Sequence, residues 1–139
     1  HAKCRQDWPI PEGMLYDRNN FWIRVEGRMA AIGLTSYGQW VIGDILYLDL
    51  VPAGSPLLKG ERFGSVESGK WVGNLLAPVD GVVHAFNPAV MADPRLIQED
   101  SYGKGWIMQV ELSAAAESDA FMDRTAYAAY VQEQARDVA

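Results

Sequence analysis

The chain has 139 residues, of which 49% are apolar and 22% charged, and a formal net charge of −6. That length and composition fit one folded domain with a buried core rather than a disordered chain. The acidic balance argues against nucleic acid, whose phosphates need basic patches, and against an anionic membrane surface, and no apolar run approaches the ~20 residues of a membrane helix.

His1 stands where an initiator Met is expected, which reads as a processed or truncated start, and no basic-then-apolar signal pattern follows it. Residues 1–14 read as a leader rich in Pro and charge, packed loosely on the surface, ahead of a single domain over 15–139. Phe21, Ile23 and Val25 alternate with Trp22, Arg24 and Glu26, which predicts a strand, and Gly27-Arg28 a hairpin turn into a second one over Met29–Leu34. Ser36-Tyr37-Gly38-Gln39 fits a capping box, and Gly43 a stop, so one short helix is expected between them.

Ile45–Leu50 is a compact strand candidate, followed by a turn segment over Val51–Pro56. From Gly60 the pattern is strand (Arg62–Val66), turn, strand (Trp71–Leu76) and strand (Val79–Phe86). Asn87-Pro88 and Asp93-Pro94 punctuate a loop or short helix around Val90 and Met91. Ile107–Leu112 alternates with Met108, Val110 and Leu112 on one face, and Tyr127, Tyr130 and Val131 fall at helical spacing in the tail. The prediction is a mainly β fold, a small sandwich or barrel with short flanking helices and a C-terminal helix.

Lys70 sits in the sharp turn Val66-Glu67-Ser68-Gly69-Lys70-Trp71 between two apolar runs. An amine on a flexible stem at a hairpin tip is a poor binder and an incomplete catalyst, but a good point of covalent attachment. Ser68-Gly69 is expected to take the unusual dihedrals of a tight turn, lifting Lys70 clear of the sheet.

The segments Glu67-Ser68-Gly69-Lys70 and Ala77-Pro78-Val79-Asp80-Gly81 resemble lipoyl-carrying proteins, and the glycine cleavage H-protein family in particular. Ile32–Tyr37, Gly43-Asp44-Ile45, Asp93–Ile97 and Tyr102–Trp106 extend the likeness from roughly Leu15 to Gln134. The resemblance implies a hybrid barrel-sandwich fold with lipoate joined by an amide to Lys70, and Glu67, Ser68 and Gly69 as the attachment turn read by a lipoate-attaching enzyme. Lipoamide is a group carrier, so no catalytic residue is expected in the chain itself.

Members of that family are similar in having a carboxylate just before the early tryptophan and another four residues after the lipoyl lysine; Phe21 and Asn74 stand there instead. Both are read as lining the arm's cleft, where negative charge would suit a cationic aminomethyl cargo. Trp71 and Val72 add bulky apolar surface beside the arm. This pattern resembles the H-like lipoate-binding proteins of sulfur oxidation. It implies a cytoplasmic carrier of sulfur-bound intermediates whose partners are a heterodisulfide-reductase-like complex and sulfur-transfer proteins. The alternative is a glycine cleavage carrier served by glycine decarboxylase, aminomethyltransferase and dihydrolipoyl dehydrogenase; a further one is an unmodified scaffold or lipoyl relay. A hairpin that visits several active sites favours a monomer.

Cys4 is the sole cysteine, which excludes an internal disulfide and a Cys-rich zinc site and suits a reducing cytoplasm. Lys3 and Arg5 would favour its thiolate, but an incidental surface cysteine is the simpler reading than a sulfur relay. His84 reads as a packed or hydrogen-bonded side chain and not a metal ligand, since the only other histidine is His1. No nucleophile elbow or phosphate-binding loop appears. Tyr127 and Tyr130 are expected to anchor the last helix on the sheet, and Trp106 to be structural.

Overall fold

The computed structural model describes residues 8–115 and 120–138; Cys4, with His1, Lys3 and Arg5, lies outside them. The described chain runs β1 (Leu15–Tyr16), β2 (Phe21–Glu26), β3 (Met29–Leu34), α1 (Ser36–Ile42), β4 (Ile45–Leu50), β5 (Pro56–Leu57), β6 (Arg62–Ser68), β7 (Val72–Leu76), β8 (Gly81–Phe86), α2 (Pro88–Ala92), α3 (Arg95–Glu99), β9 (Met108–Leu112) and α4 (Arg124–Val138). Two antiparallel sheets result, one of six strands in the order β1-β2-β3-β9-β8-β5 and one of three in the order β4-β6-β7. This is the barrel-sandwich-like architecture predicted, with short helices and a C-terminal helix around it.

Side chains from both sheets form the main core: Phe21, Ile23 and Ile32 from the large sheet meet Phe63, Val66 and Leu75 from the small one. The predicted alternation of β2 places Phe21, Ile23 and Val25 on the main core, but it does not leave the other face polar throughout. Phe21, Trp22 and Ile23 are all buried, because Trp22 enters a second cluster with Tyr16, Tyr37, Tyr127, Val131 and Ala135 on the other side of the sheet. A strand covered on both faces loses its polar face.

Helix α4 supplies the cover. Tyr127, Val131 and Ala135 recur every four residues and form its buried stripe. Tyr127 stacks on Tyr16 with ring centroids 4.6 Å apart, and the Tyr130 hydroxyl donates to the Arg18 carbonyl at 2.8 Å. Both tyrosines anchor the helix as expected.

Three local readings are corrected. The N-cap of α1 is Thr35, not Ser36: Thr35 Oγ1 accepts from the Gly38 N–H at 3.0 Å, while the Gln39 side chain reaches forward to the Gly43 carbonyl at 3.2 Å. The leader is tied down where it is described. Trp8, Ile10 and Met14 pack on the second cluster, and the Pro9, Ile10 and Pro11 carbonyls accept from Tyr102 Oη, Arg124 Nε and Tyr16 Oη. After the short helix α2, capped by Asn87, a second one, α3, follows at Pro94.

Candidate functional site

The β6–β7 hairpin brings Lys70 to the surface. Pairing of Ser65 with Asn74, Val66 with Gly73 and Glu67 with Val72 fixes the register, and β6 continues to Ser68, two residues beyond its predicted end. Ser68 is therefore no solvated turn residue. It is buried, its hydroxyl donates to the Ile42 carbonyl at 2.6 Å, and its Oγ accepts from the Lys70 N–H at 3.2 Å. The Ser68 N–H closes the turn on the Trp71 carbonyl at 2.8 Å.

The expected left-handed turn conformation is absent from Gly69, whose φ is not positive and whose Cβ position faces open space. That conformation sits instead across the gap, at Gly43, with φ +89°. A Cβ on Gly43 would come within 2.9 Å of Lys70 Cε. The glycine read as a helix stop is thus also the floor under the lysine stem.

The Lys70 amine lies 3.4 Å from the Trp40 carbonyl and 5.6 Å from the centre of the Trp40 ring. Trp40 is in turn packed by Trp8, whose ring centre is 5.1 Å away, and by Tyr37 at 6.1 Å. The lysine opens onto a cleft of about 390 Å³ bordered by Trp40, Gly43, Asp44 and Gln98. An amine on this ledge is held by weak contacts and open to solvent, which fits acylation by an external enzyme.

Phe21 and Asn74 come together on the other side of α1, around a groove of about 240 Å³ along β7, the edge strand of the small sheet. Phe21 is a core side chain against Phe63, with ring centres 5.8 Å apart. Asn74 is exposed, and its Oδ1 accepts from Arg62 Nε at 3.1 Å. Trp71 and Arg18 also line the groove, and the Trp71 ring folds back onto Gly73. Glu67 is exposed on the outer sheet face between Tyr47 and Val72.

A buried polar chain supports α1 from behind. The Tyr127 hydroxyl donates to Asn20 Oδ1 at 2.8 Å, so the Thr35 hydroxyl, 2.7 Å away, donates to Tyr127 while accepting from the Gly38 N–H. Burial pushes the Tyr127 phenol well above its ordinary range. In the same region Asp17 caps the β1–β2 turn by accepting from the Asn19 and Phe21 N–H groups at 3.0 and 2.9 Å. Burial outweighs those bonds and pushes its carboxyl up to about 6.

The sequence reading missed Trp40, Trp8, Gly43 as a floor, and Arg18. Only Gly43 carried a local signal; the others become relevant through packing between distant segments. Among the described residues no cluster of three or more His, Cys, Asp or Glu side chains is arranged to hold a metal, and no helix is long and apolar enough to cross a membrane. His84 is exposed in β8, not packed as expected.

A two-sheet sandwich that presents a lysine on a hairpin tip has the layout of a carrier domain. The chain belongs to the glycine cleavage H-protein family, which matches residues 14–134 and whose members carry covalent lipoate and act as carriers rather than catalysts. It is 41% identical over 125 residues to the glycine cleavage system H protein of Anaeromyxobacter sp. (strain K), covering 90% of this chain and 98% of that one. The corresponding protein of Symbiobacterium thermophilum is 40% identical over 124 residues, with 89% and 97% covered. Among solved structures, the glycine cleavage system H protein of Mycobacterium marinum matches with a TM-score of 0.78 at 31% identity, over 87% of this chain and 98% of that one.

Proposed function

We propose that this chain carries lipoate in amide linkage on Lys70 and passes an aminomethyl group between the enzymes of glycine cleavage. The observation that carries the reading is the seat of Lys70: an exposed amine on a hairpin whose base is clasped by Ser68 and whose stem lies across Gly43. When bound, lipoate supplies a dithiol that cycles with a disulfide, the thiolate being its reactive form. The chain's own residues present and orient the attachment point. Acylation removes the Lys70 charge and with it the cation–π hold of the Trp40 ring, so modification frees the side chain from its ledge. Glu67, exposed on the same hairpin, lies within the surface that a lipoate-attaching enzyme must cover.

The relatives described above, glycine cleavage system H proteins by name, favour aminomethyl as cargo. One observation favours a second reading, the carriage of sulfur-bound intermediates to a heterodisulfide-reductase-like complex. The groove at Phe21 and Asn74 has no carboxylate among its described lining residues, so it offers a cationic cargo no counter-charge.

The test has two stages. Incubation with lipoate, ATP and a lipoate ligase is expected to add one lipoyl group, located on Lys70 by peptide mass spectrometry. The loaded protein, with glycine decarboxylase and labelled glycine, is then expected to release labelled carbon dioxide. Loading without carbon dioxide release, while a known H protein turns over alongside, would replace the aminomethyl reading by the sulfur one.

A further inference from the structure

We propose that Trp40, wedged by Trp8 of the leader, latches the unmodified Lys70 amine and slows its acylation by free activated acyl donors. A donor delivered by an enzyme that lifts the amine off the ring escapes the delay. The inference rests on Lys70 being the acylated residue, and concerns how that residue is kept for its proper donor.

The latch consists of two contacts, each strongest when the nitrogen is charged. Lys70 Nζ donates to the Trp40 carbonyl at 3.4 Å and lies 5.6 Å from the centre of the Trp40 ring. Its stem reaches that ring across Gly43, where a Cβ would meet Lys70 Cε at 2.9 Å. Among the described residues the sole ion pair is Arg95 with Asp93, so the hold on Lys70 falls to the ring and the carbonyl. Acyl transfer has to undo this arrangement, because nitrogen attacks through a lone pair that an ammonium lacks.

Trp40 is only half-buried, so the position of its ring needs support. An aromatic triangle supplies it. The Trp8 ring lies 5.1 Å from Trp40 and 4.8 Å from Tyr37, and Tyr37 lies 6.1 Å from Trp40. The leader that carries Trp8 is fastened to the same helix. Tyr102 Oη donates to the Pro9 carbonyl at 2.6 Å and accepts from the Ser36 N–H at 3.0 Å. One hydroxyl thus joins the residue after Trp8 to the first residue of α1, and Arg124 Nε holds the Ile10 carbonyl at 2.7 Å. Trp8 and Trp40 share one frame although far apart in sequence, and Trp8 is a positioning residue acting through Trp40.

Acetic anhydride tests the latch without any enzyme. The Lys70 nitrogen attacks one carbonyl, an amide C–N bond forms, acetate leaves, and two protons pass from the ammonium to the buffer. Peptide mass spectrometry after short exposures gives the rates at Lys70 and at Lys104, which is exposed. Lys70 is expected to react more slowly by roughly two- to fivefold, the worth of an exposed cation–π contact. Trp40→Leu, which keeps bulk without a ring face, and Trp8→Ala should each bring Lys70 to the Lys104 rate. Trp40→Phe should give an intermediate rate, and Trp8→Phe should keep the delay. Thermal melts accompany the rates, since an unfolded chain would also lose the difference. Equal rates at the two lysines in the wild type, or a delay that persists in Trp40→Leu, would overturn the proposal. A delay that persists in Trp8→Ala would overturn the part assigned to the leader. Loading by lipoate ligase is scored separately on the same protein. A lipoyl group found on another lysine would overturn the carrier reading of Lys70, whatever the acetylation rates.

Discussion

The stem of Lys70 crosses Gly43 so closely that a Cβ there would stand 2.9 Å from Lys70 Cε, although the two residues are on different elements. Gly43, with φ +89° and ψ −164°, also adopts a conformation open almost only to glycine.

Gly43→Ala is therefore expected to destabilise the fold by about 1–3 kcal/mol and to slow acylation of Lys70 by shifting its stem. Gly69→Ala, at a position with ordinary φ and open space, is expected to change stability by no more than about 0.5 kcal/mol. Urea denaturation of both variants checks the contrast; equal losses would show that the turn, not its floor, needs the glycine.

Lys70→Arg keeps the charge and cannot form the lipoyl amide. Its thermal midpoint is expected to match that of the wild type, since Lys70 is exposed and makes only weak contacts. Intact-mass measurement after lipoate ligase should show no added group. A lipoyl adduct on this variant would move the attachment site to another lysine.

Tyr127→Phe retains the stack on Tyr16 but removes the hydroxyl that links Thr35 to Asn20. Leaving these buried groups short of a partner is expected to cost about 1–3 kcal/mol, read as a lower urea midpoint at unchanged slope. A loss below about 0.5 kcal/mol would mean that water replaces the hydroxyl.

Asp17 gives the fold a pH dependence of definite sign. Its folded-state carboxyl is raised to about 6 from the ordinary 3.8, so between those values the folded chain binds more protons than the unfolded one. The contribution is present in full below about 3.8 and is lost as pH rises through 6. Asp17→Asn keeps an acceptor for the Asn19 and Phe21 N–H groups without titrating. Relative to this variant, the wild type should lose stability from pH 4 to pH 7 in urea melts; parallel curves would place the titration elsewhere.

What could be read from the sequence was whatever local pattern controls. The strand runs, the Gly27 turn, the helix ending at Gly43 and the Tyr127–Val131 stripe are short-range signals, and each names its element. The exposed lysine turn was legible for the same reason. Burial of Trp22 was not, because it depends on α4 folding back over β2 from more than a hundred residues away. The cap of α1 was misplaced by one residue because Thr35 and Ser36 are both competent caps, and Tyr127 selects Thr35 by bonding its hydroxyl. Nothing in the residues around Gly69 could show that the strained glycine would be Gly43. Two-residue strands such as β1 and β5 carry too few side chains to express a period.

The Ser68 clasp bears on how the carrier meets its partners. With the hairpin base bonded to the end of α1 through the Ile42 carbonyl, the root of the arm turns with the whole domain. On the proposed attachment at Lys70, the reach of the arm comes from the lysine side chain and what it bears. The effective concentration of cargo at a docked enzyme is then set by tether length and docking distance. A partner can raise it only by where it grips the domain, so docking geometry, not loop motion, becomes the variable that decides which enzyme the arm serves.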